Sequence, residues 1–109
     1  MANEKADKLK DFRKNIDKID GEILKLLADR FTIVKKIGKY KRFNGVKIFD
    51  KERENQILNK IKIESRKYKT NEKYIENIFK SIIKNSKEIQ KWLTSSSLNQ
   101  VFSSTLCFL

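Results

Sequence analysis

Residues 9–37 read LKDFRKNIDKIDGEILKLLADRFTIVKKI, and their main apolar members fall at 9, 12, 16, 19, 23, 26, 27, 33, 34 and 37. Steps of three and four dominate, so these side chains line one face of a helix. Carried into its polar flanks, the helix runs from about Glu4 to Lys41 and is ~55 Å long at ~1.5 Å per residue. A chain of 109 residues is one domain's worth and buries only a modest core. The rest of the chain cannot cover so long a helix, so a partner subunit is expected to cover the remainder.

Outward from this stretch, residues 42–47 contain Asn44-Gly45, a pair that tolerates the left-handed backbone of a tight reversal. Asp50 is a natural N-cap, and Glu52 and Glu54 follow in a first turn that favours acids; apolar positions 57, 58, 61 and 68 carry helix two to about Lys67. Thr70 or Asn71 can cap a third helix, whose stripe is Tyr74, Ile75, Ile78, Phe79, Ile82, Ile83, Ile89 and Leu93. The chain holds no Pro and three Gly, so few positions can break a helix. The expected fold class is all-α: one very long and two shorter helices within residues 1–93, forming an intertwined helical homodimer. Residues 94–109 carry no charge and five Ser, the composition of a linker or tail.

The formal charge is +12, which raises nucleic acid or an anionic surface as a partner. The excess is mostly lysine, 21 Lys to 5 Arg beside 14 Ile and 9 Asn, the mark of AT-rich coding, and its weight as a functional signal is reduced accordingly. With no His and only Cys107, imidazole chemistry, an internal disulfide and a Cys-rich metal site are excluded. The first ten residues are charged and lack a signal-peptide core, and no stretch reaches the roughly 18 apolar residues of a membrane span. A cytoplasmic protein with no membrane partner is expected.

Polar residues interrupt the stripes at particular places. Arg30 and Lys41 lie eleven residues apart, close to three helical turns, on the apolar face of helix one. Glu54 precedes Ile57 and Leu58 on helix two; Ser86 and Gln90 follow Ile82 and Ile83 on helix three. One reading is purely structural: Arg30 and Lys41 snorkel, Glu54 neutralises one of them, and Ser86 and Gln90 mark a fraying end. The other is a site. Inward cations outnumber inward carboxylates, and a small dianion between the helices would balance them.

The same residues carry a family resemblance. Phe12-Arg13-Lys14-Asn15-Ile16-Asp17 with Ile19-Asp20, Leu26-Leu27-Ala28-Asp29-Arg30, Ile37-Gly38-Lys39-Tyr40-Lys41, Asp50-Lys51-Glu52-Arg53-Glu54, and Ile82-Ile83-Lys84-Asn85-Ser86 with Gln90 together resemble the helical chorismate mutases. The likeness is strongest to the N-terminal domain of bacterial bifunctional chorismate mutase/prephenate dehydratases. It covers roughly Leu9 to Gln90 in order, and its strength lies in the five segments jointly. The resemblance implies a homodimeric enzyme rearranging chorismate to prephenate without metal or cofactor. It also implies roles. Arg30, and Arg13 from the other subunit, would grip the two carboxylates; Arg13 lies off the face of Arg30 and Lys41, which fits a contribution in trans. Lys41 and Gln90 would donate to the ether oxygen. Glu54, carrying or sharing a proton, and the Asp50 region would hold the ring hydroxyl, with Arg53 holding that region in place. Ser86 would support a carboxylate, and Ile37 and Ile83 would pack on the ring. Catalysis would fall to Lys41, Gln90 and Glu54.

In bifunctional relatives a linker leads into a dehydratase strand, which Thr105-Leu106-Cys107-Phe108-Leu109 resembles in truncated form; a disordered terminus is the alternative. Two rival functions exist. A basic helical nucleic-acid-binding protein would need lysines gathered on one exposed face, whereas here they are spread over every helix. A structural coiled coil fits the steps of three and four, but not the polar interruptions.

Overall fold

The computed structural model describes residues 2–94, and all regular structure among them is helical: α1 (Ala2–Phe43), α2 (Lys51–Lys67) and α3 (Glu72–Thr94). The proposed linker or truncated strand beyond Thr94 lies outside the described residues.

The first helix is two residues longer at each end than its periodicity indicates, because its stop is set by backbone chemistry beyond the stripe. Gly45 takes a left-handed φ of +64°. The Val46 N–H then reaches back to the Lys41 carbonyl at 2.8 Å, and the Asn44 N–H and Nδ2 donate to the Tyr40 carbonyl at 3.0 and 2.8 Å. Carbonyls orphaned at the helix end are satisfied, as in a Schellman cap. At the start of α2, the Asp50 side chain accepts from the Arg53 N–H at 2.9 Å, and Glu52 and Glu54 occupy the first turn, where the helix dipole favours negative charge.

Thr70 and Asn71 divide two tasks. The Thr70 N–H and Oγ1 donate to the Ser65 carbonyl at 3.2 and 2.9 Å, closing α2, and Asn71 Oδ1 accepts from the N–H groups of Lys73 and Tyr74 at 3.0 and 3.2 Å, capping α3. Lys69 between them has a φ of +54°. This short turn returns α3 along α2, and the two helices pack together. Charge pairs flank the hairpin. Arg66 bonds Glu72, while Glu76 takes Lys80 at 3.3 Å and Lys62 at 3.8 Å. The Lys80 contact, helped by Lys62 and Lys73 against some desolvation, holds the Glu76 carboxyl below its ordinary pKa. The bond from Glu72 and its charge push Arg66 up.

The described residues divide into two compact units, one ending at Ile33 and the other beginning at Val34. In the first, no described side chain is buried, and the apolar stripe is open to solvent: Phe12 and Ile16 are each 56% exposed, with Leu9, Ile19, Ile23 and Leu26 also exposed. The second unit holds the core, in which Val34, Ile83 and Leu93 are buried alongside Ser65, Ser86 and Gln90. Gly38 marks a close approach within it. A Cβ there would sit 3.1 Å from Leu93 Cδ1 and 3.4 Å from Gln90 Cγ, so the final turns of α1 lie directly against α3. No helix among the described residues is long and apolar enough to cross a membrane.

Candidate active site

The close approach at Gly38 places the last turn of α1 beside Gln90. Lys41 lies one turn beyond Gly38, and its Nζ donates to Gln90 Oε1 at 2.9 Å. The capped reversal after Phe43 returns the chain so that the Ile48 carbonyl accepts a second bond from the same Nζ, also at 2.9 Å. Both oxygens are neutral, and among the described residues no carboxylate pairs with this half-buried ammonium. A cation withdrawn from water without a counter-charge is costly, and the same field favours any anion brought to it. Gln90 is 7% exposed. With Oε1 turned to Lys41, its amide N–H groups remain as further donors on that side chain.

Glu54 projects from the first turn of α2 with its side chain 13% exposed, and Lys87 Nζ of α3 lies 2.8 Å from its Oε1. The contact is ionic, with angles outside those of a hydrogen bond, since the buried Oε1 accepts none. The structural alternative had Glu54 neutralising either Arg30 or Lys41; the carboxylate is instead paired with Lys87, and Lys41 is bonded to neutral oxygens. Fraying is set aside as well, because α3 continues through Thr94 and both Ser86 and Gln90 are buried within it. Ser86 Oγ donates to the Ile82 carbonyl at 2.9 Å.

The remaining candidates divide between the units. Asp50 and Arg53 meet through the N-cap, by the Arg53 backbone N–H. Ile83 is buried, whereas Ile37, one turn before Lys41, is 42% exposed. Arg13 is exposed and Arg30 half-buried, both within the first unit. Lys87 escaped the sequence reading. Its signal was present: it stands four residues after Ile83 and three before Gln90, on the stripe of α3, though as one lysine among many.

Fold and site together define a helical domain with a cation and polar groups drawn into its interior. Residues 12–91 match the family model described as Chorismate mutase type II. The chain belongs to that family. It is 34% identical over 94 residues to the chorismate mutase of Methanocaldococcus jannaschii, an alignment covering 86% of this chain and 95% of that protein. It is 40% identical over 88 residues to the bifunctional chorismate mutase/prephenate dehydratase of Buchnera aphidicola subsp. Acyrthosiphon pisum (81% of this chain, 23% of the relative) and 33% over 78 residues to the T-protein of Haemophilus influenzae (72% and 21%). The chain thus spans nearly all of the first relative and under a quarter of the other two. No solved structure matches it.

Proposed function

We propose that this chain rearranges chorismate to prephenate at a site centred on Lys41 and Gln90 and completed by a second copy. The observation that carries the site is the half-buried Lys41 ammonium, bonded to two neutral oxygens, one of them on the buried Gln90. In this rearrangement one carbon–oxygen bond breaks as a carbon–carbon bond forms within the same molecule, so no nucleophile is needed. Holding chorismate in its compact shape supplies part of the acceleration. Donors aimed at the ether oxygen, where negative charge grows, supply the rest and act without reorganising. Lys41 and the Gln90 amide are those donors. Glu54 and the Asp50 region receive the ring hydroxyl, Arg53 steadies that region, Ser86 supports a carboxylate, and Ile37 and Ile83 flank the ring.

Arg30 and Arg13 of the partner subunit bind the two carboxylates. The dimer is supported by the open stripe of the first unit. Seven of its apolar side chains, from Leu9 to Ile33, stand about half exposed, and covering them on two copies is worth on the order of 10 kcal/mol. That is comparable with the ~4–15 kcal/mol of freedom lost on association. The mutase domain is taken as residues 1–93, acting in the cytoplasm in aromatic amino-acid synthesis. Loss of chorismate absorbance tests the reading. The parent chain should accelerate it, and Lys41→Met should lower kcat by ~100–1000-fold, the scale for removing one oxyanion donor. A folded Lys41→Met chain of parental rate would refute the site.

A further inference from the structure

Lys87 touches two elements that border the site. Its Nζ lies 2.8 Å from Glu54 Oε1 on α2 and 5.0 Å from the centre of the Phe49 ring, in the segment that leads to the Asp50 cap. The Lys87 side chain is 30% exposed and that of Glu54 13%, so the pair is largely withdrawn from water. Removing one member of such a pair leaves the other charge uncompensated, and the ring face supplies a second attraction for the ammonium. Lys87 also sits between Ser86 and Gln90 on α3. One ammonium therefore ties the approach to α2, the first turn of α2 and the site face of α3 to one another.

The consequence falls on Glu54. Its Oε1 is buried against Lys87, which leaves Oε2 as the oxygen able to accept from a hydroxyl. We infer that Lys87 is a positioning residue for the rearrangement: it clamps Glu54 by one oxygen and so aims the other at the substrate's ring hydroxyl. This rests on the reading of Glu54 given above. Lys87 touches no substrate atom and acts through Glu54. Because its charge is matched there, Glu54 is not drawn to Lys41, whose positive charge stays available.

The test is a double-variant cycle on the intact chain with chorismate as substrate. Lys87→Met should raise KM about tenfold, the worth of the hydrogen bond from the ring hydroxyl to the Glu54 carboxylate that it would misaim, with a smaller change in kcat. Lys87→Arg, which keeps the charge and the ring contact, should restore most of the loss. In a Glu54→Gln background, Lys87→Met should add little, because residues acting through one another are not additive. Circular dichroism melts check that each variant folds; should Lys87→Met unfold, Lys87→Gln takes its place in the cycle. Parental kinetics in the folded Lys87 variant, or equal factors in both backgrounds, would overturn the inference. Failure of Glu54→Gln to impair the enzyme would instead overturn the role given to Glu54, and an inactive parent the function itself.

Discussion

Gln90 is a neutral side chain buried against a cation, with its oxygen committed to Lys41 and its amide hydrogens to spare. A glutamate in its place could donate to the ether oxygen only while protonated. Gln90→Glu should therefore be active at acid pH and lose activity as pH rises through the carboxyl's titration, whereas the parent keeps a flatter profile; a variant profile parallel to the parent's would remove Gln90 from the reaction. At this scale the polar residues drawn towards the interior were largely legible in the sequence. Lys41, Gln90, Ser86 and Glu54 interrupt apolar stripes, and a polar group at a core position advertises itself. Lys87 did so less clearly, because a long flexible cation near a helix surface is ordinarily solvated. Only the placement of Glu54 across the interhelical gap reveals its partner, and pairing between helices leaves no mark in spacing along one of them.

The helices owe their limits to caps. Gly45 ends α1 at a φ of +64°, where a Cβ meets its own backbone even though the surrounding space is open. Gly45→Ala should cost about 1 kcal/mol in a urea titration, and no loss would mean that the turn has another low-energy form. The α2–α3 hairpin carries a pH dependence through Glu76. Its folded pKa is lowered by Lys80 first, then by Lys62 and Lys73. The stabilisation is complete above the unfolded carboxyl's value and is lost as pH falls through the folded one. Glu76→Gln should melt slightly below the parent at neutral pH, and the gap should close in acid, once pH has fallen below the lowered carboxyl value; a gap that persists in acid would point to packing instead. Element limits were readable to within two residues. The choice between Thr70 and Asn71 was not, because both side chains can cap and only the backbone path shows that Thr70 closes the preceding helix.

For the whole molecule, the apolar stripe of residues 9–33 was plain in the sequence and is open to solvent in the single chain. Nothing in one chain's periodicity says what covers it. The type II chorismate mutase family gives the activity, while the exposed stripe and the unmatched Lys41 support a site shared between copies. Mixing two inactive variants tests this most directly. Arg13→Ala keeps Lys41 but lacks the residue proposed to act in trans, and Lys41→Met is the reverse. Exchange of subunits should leave one complete site in each mixed dimer, restoring about a quarter of the parental rate on chorismate by random pairing. A mixture no more active than its components, under conditions where subunits exchange, or an Arg13→Ala chain of full activity, would contradict the account.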